Sequence, residues 1–262
     1  MLNLDASKKI DGVYYLSSSD NAIFDEDSYI LVRKREGRFY PDSVVKDLPS
    51  IEFDHHLKDE WAVRERSVKK ISEHIKKNKF GTVLDVGCGN GWFSNSISKS
   101  CNCFTAGLDL NQAELAQAAR VFGRNDMVKF IYGNIFEDIF PIGFFDIIIF
   151  AASIQYFSSF NTTITSIFRF LKPGGEIHII DSNFYDDSEI ESARVRSRNY
   201  YNQLGIPVMA EYYFHHSWNE LEKFDYRLIN HRNYRLSKFL AYFGSSGSIV
   251  FPWIVIKPQI TN

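Results

Sequence analysis

The sequence predicts an α/β protein with a doubly wound, mostly parallel sheet of seven strands, and two observations lead to this fold class. From Phe80 onward, short runs of β-branched and aromatic residues alternate with segments of helical periodicity. Such alternation implies right-handed crossovers and a parallel sheet with helices on both faces. A glycine-rich turn at residues 87–91 follows the first of these strands and precedes a helix, an arrangement that lets a ligand approach the backbone.

The strands are predicted from short apolar runs, and residues 145–150 are the clearest case because nearly all of them are β-branched or aromatic. Helices are predicted over 56–78, about 91–99, from residue 111, and about 159–171. Asn111 suits an N-cap, and Glu114 at the third helical position resembles a capping box. Lys-Pro-Gly-Gly at 172–175 ends a helix, because proline cannot continue it and glycine permits the turn. The predicted strands are 82–85, 104–108, 128–132, 145–150, 176–181, 224–230 and 249–257.

Two segments depart from this alternation. Residues 1–50 are predicted to be a small N-terminal extension, β-rich because 13–16 and 29–33 have strand character and Gly37 marks a turn. Residues 51–262 are predicted to be the main domain, with a ligand-binding core at 80–181. Within it, residues from about 185 to 224 have the character of helix and loop and are predicted to be an insertion after the fifth strand.

Composition narrows the possible partners. The net charge is −2, from 30 basic and 32 acidic residues, so no basic excess favours nucleic acid. The three cysteines, Cys88, Cys101 and Cys103, form no C-x-x-C pair, so we expect neither a metal site nor a disulfide framework, and their sparse use fits a reducing compartment. Neither a signal peptide nor a membrane span is predicted, and the expected location is cytoplasmic. Aromatics reach 16%, which favours an aromatic core over an aromatic-lined pocket.

Residues 83–94 read V-L-D-V-G-C-G-N-G-W-F-S, and they limit the kind of ligand. A dinucleotide fingerprint needs a third glycine where this chain has Trp92. Asp85 would also place a negative charge close to a pyrophosphate. The pattern D-x-G-x-G-x-G therefore favours a ligand with a cationic end and no phosphate, against the alternative of an ordinary strand-to-helix turn.

This pattern resembles the first motif of class I S-adenosylmethionine-dependent methyltransferases. The resemblance implies that Asp85 lies beside the methionine amino group and that the loop wraps the amino acid part of the cofactor, S-adenosyl-L-methionine, whose product is S-adenosyl-L-homocysteine. It also implies a Rossmann-like methyltransferase fold with an antiparallel last strand, and a lid over the substrate formed by the insertion at about 185–224. The loop residues concerned are Gly87, Cys88, Gly89, Asn90 and Gly91.

Later strand ends carry the matching motifs. Asp109 lies 24 positions after Asp85, close to the expected offset for an acid that accepts both ribose hydroxyls, and Leu110 would pack on adenine. Its alternative role is that of an exposed acid near a helix start. The family usually has aspartate where this chain has Asn134, whose side-chain oxygen can still accept from the adenine amine. Ile135 would offer its backbone N–H to the ring.

The segment after the fourth strand resembles the family's segment beneath the transferable methyl group. The resemblance implies that Ala151 leaves room for cofactor and that Gln155 and Tyr156 face the reaction centre, where Tyr156 would orient a nucleophile or contact the sulfonium through its ring. An equally supported alternative is that these residues only finish a buried strand. Arg64, on the helix at 56–78, could bind the methionine carboxylate, although an exposed helix charge is the simpler interpretation.

Histidine is the usual general base near neutral pH, and His215 and His216 lie in the predicted lid. The alternative is that both pack in the core of the lid. The predicted function is methyl transfer to a small molecule by a monomer or homodimer, with His215, His216 and Tyr156 as candidate catalytic residues. The alternatives are an RNA methyltransferase and a non-catalytic, regulatory cofactor-binding protein. A nicotinamide oxidoreductase is opposed by Trp92 and Asp85.

Overall fold

A nine-stranded sheet runs through the computed structural model, which describes residues 2, 4, 7–18, 25–52, 55–230, 234 and 250–258. The strand order across the sheet is β1-β2-β5-β4-β3-β6-β7-β9-β8. The strands, in chain order, are β1 (Lys8–Ile10), β2 (Val13–Tyr15), β3 (Thr82–Val86), β4 (Phe104–Asp109), β5 (Val128–Tyr132), β6 (Phe145–Ala151), β7 (Leu171–Ile180), β8 (Asp225–Leu228) and β9 (Ile254–Lys257).

The predicted doubly wound, mostly parallel sheet is confirmed, and the strands from β3 to β9 are the predicted set. β9 is antiparallel to both of its neighbours, as the family resemblance implied. The sheet has two strands more than predicted, because the hairpin β1–β2 adds to one edge with β2 parallel to β5. The last two strands are shorter than predicted, and residue 249 lies outside the described residues.

Helices cover both faces of this sheet. The helix predicted to begin at Asn111 is confirmed as Gln112–Phe122, and the Asn111 side chain caps it by accepting a hydrogen bond from the Glu114 backbone N–H at 2.8 Å. No helix in the described part of the chain is long and apolar enough to cross a membrane. The α-helices are α1 (Glu26–Arg35), α2 (Asp42–Val45), α3 (Lys58–Asn78), α4 (Trp92–Cys101), α5 (Gln112–Phe122), α6 (Phe160–Ile167), α7 (Asp187–Gln203) and α8 (Trp218–Leu221).

The interior strand β6 shows how the sheet is buried on both faces. Its side chains alternate between two apolar layers, Ile147 and Ile149 on one face and Ile148 and Phe150 on the other, and all four are fully buried. Burying one such side chain stabilises the fold by about 1.5–3 kcal/mol. The sheet is therefore a rigid platform for the loops at its carboxyl edge.

Gly91 fixes the join between β3 and α4. Its φ is +75°, and a Cβ there would lie 2.4 Å from the Phe130 ring and 2.7 Å from the Ala118 side chain. No other residue fits such a close approach in this conformation. The third glycine of the loop thus provides the close helix–sheet packing that a dinucleotide fingerprint would place at position 92.

The prediction of a strand at 29–33 is wrong, because these residues lie in α1. The Asp25 side chain caps this helix by accepting from the Ser28 N–H at 3.0 Å, acids occupy its first turn, and three basic residues occupy its last turn. These caps and the helix dipole outweigh the β propensity of Tyr, Ile, Leu and Val. The strand predicted at 13–16 is confirmed as β2. The domain boundary near residue 50 stays a prediction.

The segment at 185–224, predicted to be a lid, contains α7, the 3₁₀ helix Pro207–Tyr212 and α8. It follows β7, in which residues 172–175 bulge out: pairing with β6 jumps from Phe145–Leu171 to Ile147–Glu176. Gly174 has a φ of +79°, so the predicted glycine turn is present inside the strand as a bulge.

Candidate functional site

Two adjoining cavities open at the carboxyl edge of the sheet, next to the point between β3 and β6 where the strand order reverses. The larger, of about 480 Å³, is lined mainly by charged and polar side chains and is called the polar cavity. The smaller, of about 310 Å³, is called the apolar cavity. Tyr29, Gly87, Ala152 and Tyr156 line both, so a single elongated ligand can extend from one cavity into the other.

Asp85 lies in the wall of the polar cavity, at the end of β3. Its carboxyl is buried and accepts one hydrogen bond from the Ser94 hydroxyl at 2.6 Å. Burial raises the pKa of Asp85 to about 7, and the nearby charge of Asp109 adds to this while Ser94 opposes it. A buried carboxyl with so little compensation is well placed to bind a cationic group.

Asp109 lies in the apolar cavity at the end of β4 and connects two loops. One carboxylate oxygen accepts from the Gly89 N–H at 2.7 Å, and the other accepts from the Asn111 N–H at 2.8 Å. Burial raises the pKa of Asp109, while these backbone N–H groups lower it. Each carboxylate oxygen has a second lone pair, so both can accept from a vicinal diol.

The far wall of the apolar cavity contains Leu110, Asn134 and Ile135, the residues predicted to contact adenine. The Asn134 side-chain oxygen accepts from the Phe136 backbone N–H at 3.1 Å, and the Asn134 backbone N–H donates to the Ser17 hydroxyl at 2.8 Å. The oxygen is therefore already engaged within the chain and has one lone pair left for a ligand. Ser17 comes from the N-terminal extension and was not predicted to approach this site.

The remaining predicted cofactor residues also line the polar cavity, except Gly91, which lines neither cavity. The Cys88 side chain is buried against β4, since a Cβ at Gly107 would lie 3.0 Å from its sulfur, so its backbone is the part available to a ligand. Asn90 is buried beside it. Gln155 donates to the Ala152 carbonyl at 2.7 Å and accepts from the Ser182 hydroxyl at 3.1 Å, and these bonds hold it beside Ala151.

Arg64 of α3 reaches the polar cavity but is already paired. Its guanidinium lies 2.7 Å from a Glu60 carboxylate oxygen, and Arg38 pairs with the other oxygen at 2.6 Å. Burial raises the pKa of Glu60, but the two arginines outweigh it and hold that pKa at about 2. Arg64 can bind a carboxylate there only by sharing its charge with Glu60.

Tyr156 is the predicted catalytic residue that the structure places in both cavities. Its ring contacts Tyr29 and Tyr213 edge-on, with centroid distances of 5.7 Å and 5.9 Å. Burial raises the pKa of Tyr156 to about 12. The phenol is therefore neutral at pH 7, and it can donate a hydrogen bond but is a poor general base.

The two predicted catalytic histidines do not line either cavity; they line a third cavity of about 500 Å³. His215 Nε2 lies 3.0 Å from the Ser197 hydroxyl, and His216 Nε2 lies 3.0 Å from the Ile154 carbonyl oxygen. Both rings are buried, and burial lowers the pKa of His215 to about 4. Both histidines thus lie away from the two cavities that contain Asp85 and Asp109, and their catalytic role stays a prediction.

A cluster of His74, Glu176 and His178 brings three possible metal-ligand atoms within 4.8 Å of one another. Trp253 Nε1–H donates to His178 Nδ1 at 2.9 Å, so the proton of neutral His178 is on Nε2, which points at Glu176 at 3.0 Å. A ring nitrogen that carries a proton has no lone pair for a metal. Arg227 also pairs with Glu176, at 3.0 Å, and the cluster is best described as an ion-pair network.

Several residues that line the polar cavity were not predicted. Tyr29, Arg33 and Glu36 come from α1 and the residue after it, and their spacing of four and three places them on one helix face. That helical spacing could have indicated these residues from the sequence, but the strand predicted at 29–33 excluded a helix there. Other unpredicted lining residues come from α5 and from the lid segment: Glu114, Arg196, Tyr200, Tyr201 and Tyr213.

Part of this chain is similar in sequence to known methyltransferases. Residues 83–175 match a family model described as a methyltransferase domain. A sterol 24-C-methyltransferase of Gibberella zeae is 27% identical over 157 residues, which are 58% of this chain and 40% of that protein. A malonyl-[acyl-carrier protein] O-methyltransferase of Priestia megaterium is 28% identical over 141 residues, 51% of each chain. The chain thus spans about half or less of the length of these relatives.

The fold is shared with solved structures. A geranyl diphosphate C-methyltransferase of Streptomyces coelicolor, solved with S-adenosyl-L-homocysteine, aligns with a TM-score of 0.59 at 14% identity, covering 92% of this chain and 98% of that one. At this identity the likeness shows the fold alone. The matched domain, the shared fold and the order of the strand-end motifs all agree with the resemblance of this chain to class I S-adenosylmethionine-dependent methyltransferases.

Proposed function

We propose that this protein is an S-adenosylmethionine-dependent methyltransferase that acts on a small molecule. The observation that carries the proposal is the pair of adjoining cavities, one with a buried acid for a cation and the other with a carboxylate for a diol. The cofactor's methionine end would lie beside Asp85, its ribose beside Asp109 and its adenine between Leu110 and Ile135. The glycine loop separates these positions and lines both cavities at Gly87.

The residues present fit this cofactor. Asp85 is a buried carboxyl that lacks a cationic partner within the described part of the chain, and an ammonium group would supply one. The sulfonium compound, when bound, supplies an activated methyl group that the acceptor's lone pair takes while the carbon–sulfur electron pair stays on sulfur. The protein's own contribution is to hold the acceptor in line and to exclude water.

Proton removal is assigned to Glu114 in this proposal, in place of the histidines. Glu114 lines the polar cavity, and burial raises its pKa to about 7 against the opposing charge of Arg33. A carboxyl with this pKa can exchange a proton near neutral pH. Asp85 has a similarly raised pKa, but the cofactor's ammonium would hold it ionised. Tyr156 would position the acceptor by donating a hydrogen bond.

Calorimetric titration with S-adenosylhomocysteine and with NAD tests the cofactor assignment. We expect S-adenosylhomocysteine to bind and NAD not to bind, and preference for NAD would refute the proposal. In Asp109→Asn, one acceptor oxygen becomes a donor amide, so the affinity should fall by about tenfold or more. Asp138→Asn is the matched control, since the Asp138 carboxyl is 91% exposed and lines neither cavity.

The acceptor class and the alternatives need separate assays. Release of S-adenosylhomocysteine in the presence of a small-molecule panel supports the proposal, whereas binding without turnover on any acceptor would favour a regulatory protein. Salt-sensitive retention of RNA would favour an RNA methyltransferase. We also propose a cytoplasmic location and a monomeric or homodimeric state, which fractionation and sedimentation measurements would test.

A further inference from the structure

We propose that the methyl acceptor carries an oxyanion, a carboxylate or a phosphate ester, which Arg33 and Arg196 bind in the polar cavity. This inference rests on the proposed methyltransferase function, because it concerns the acceptor of that same site. It starts from the distribution of charge among the residues that line the cavity. Four arginines line it, and they differ in whether the chain already supplies them with an acidic partner.

Arg38 and Arg64 have such partners. Both guanidinium groups bind Glu60, with nitrogen–oxygen distances of 2.6 Å and 2.7 Å, and Arg38 also lies 3.2 Å from Glu36. The same acids that hold these two arginines in place also neutralise them. They are therefore weak candidates for binding an additional anion.

Arg33 has no close acidic partner of this kind. Its Nε is buried and has no hydrogen-bond partner, its ion pair with Glu36 is long at 3.8 Å, and the charge of Glu114 acts on it without a close ion pair. Glu36 is already engaged by Arg38 and by the Tyr200 hydroxyl. A buried donor without an acceptor costs about 1–3 kcal/mol, and a ligand oxygen in the cavity would remove that penalty.

Arg196 is the second arginine that lacks a close ion pair with the described residues. It lies on α7 in the lid segment, and its recorded hydrogen bond is to Ser192 of the same helix, at 3.1 Å. It forms no ion pair with any residue that the structure describes. A guanidinium binds carboxylate or phosphate through two parallel hydrogen bonds. Arg33 and Arg196 line the cavity from different elements, so an oxyanion could bind between the extension and the lid.

Tyrosines supply neutral donors on the same wall. Tyr156, Tyr213 and Tyr201 are in ring contact in that order, with centroid distances of 5.9 Å and 6.1 Å. Their hydroxyls make no hydrogen bond to another described residue. Burial raises the pKa of each of the three phenols, so they stay protonated and can donate to an anion. The alternative to an anionic methyl acceptor is a cationic one, which would bind against the faces of the tyrosine rings.

Calorimetry on protein saturated with S-adenosylhomocysteine separates these cases. The probes share one ring and differ in charge: phenylacetate and phenyl phosphate as anions, phenylacetamide as the neutral analogue and phenethylamine as the cation. We expect at least one anion to bind about tenfold more tightly than the neutral and cationic probes, the value of one charge-assisted hydrogen bond. The two anions distinguish a carboxylate acceptor from a phosphate acceptor.

Variants assign the binding to the two arginines. Arg196 is exposed, so the Arg196→Gln variant should fold normally. Arg196→Gln and Arg33→Met should each lower the affinity for the anion by about tenfold. Arg194→Gln, on the same helix, is the matched control, because Arg194 lines the third cavity instead, and it should keep wild-type affinity.

Three results would overturn the inference: no binding by either anion, equal binding of phenylacetamide, or preference for phenethylamine. A fourth concerns Arg33: if Arg33→Met weakens S-adenosylhomocysteine but not 5′-methylthioadenosine, Arg33 binds the cofactor's carboxylate. In each case S-adenosylhomocysteine would still bind the wild type. Failure of the wild type to bind S-adenosylhomocysteine would instead refute the proposed function.

Discussion

His178 should make this protein lose stability as the pH falls from neutral, and the effect can be calculated from the structure. The ring is fully buried in β7 between Glu176 and the Trp253 indole. Burial lowers the pKa of His178 from 6.5 to about 4, although Glu176 opposes this. Protonation would turn His178 Nδ1 from an acceptor into a second donor that faces the Trp253 N–H, and the hydrogen bond between them would be lost. Folding therefore favours the neutral ring.

The sign and the magnitude of this change in stability follow from the linkage between proton binding and folding. A histidine with a lower pKa in the folded state binds its proton more tightly in the unfolded state, so acid favours unfolding. The loss begins near the unfolded pKa of 6.5 and is complete below the folded pKa of about 4, where it amounts to about 3 kcal/mol. Between pH 7 and pH 5, His178 alone should account for about 2 kcal/mol.

The assay is the free energy of unfolding from urea titrations at these two pH values, for wild type and for His178→Gln. Glutamine can accept from Trp253 and donate to Glu176, but it does not titrate, so the variant should lose about 2 kcal/mol less than wild type. His56→Gln, at the surface, is the matched control for loss of one imidazole. Equal pH dependence in wild type and His178→Gln would refute the argument, and a wild type that is more stable at pH 5 would indicate a charged His178 paired with Glu176.

Three further outcomes are expected. Gly91→Ala places a Cβ 2.4 Å from Phe130 at a φ of +75° and should lower the free energy of unfolding by about 2–5 kcal/mol, and an unchanged urea midpoint would contradict this packing. Glu176→Gln replaces a buried carboxylate that accepts from Arg227 and contacts the rings of His74 and His178, and a loss of about 1–3 kcal/mol is expected in the same assay; a loss within experimental error would show the network to be dispensable. Burial raises the pKa of Asp85 to about 7, so the affinity of the wild type for S-adenosylhomocysteine should fall by up to about tenfold per pH unit below 7. Asp85→Asn should bind S-adenosylhomocysteine weakly and without this pH dependence. If the variant keeps the pH dependence of the wild type, the ammonium assignment is refuted.

Local patterns predicted the sheet and the floor of the site. Asp85 and Asp109 each end a strand, and parallel strands joined by right-handed crossovers bring their carboxyl ends to one edge, so these residues had to lie near each other. The extra strands and α1 were harder to predict, because helix caps and β propensity compete within residues 25–35 and only the caps agree with the final packing.

The sequence by itself determined the fold class, the glycine loop and the acids at the strand ends, because each depends on short-range periodicity and on one conserved geometry of parallel sheets. Only the tertiary structure decided which side chains line the polar cavity. Arg33 and Arg196 are 163 positions apart by number, and no local signal relates them. His215 and His216 have the chemistry of a base, yet side-chain packing in the lid segment turns them into a different cavity. Orientation depends on long-range packing, which residue spacing does not encode.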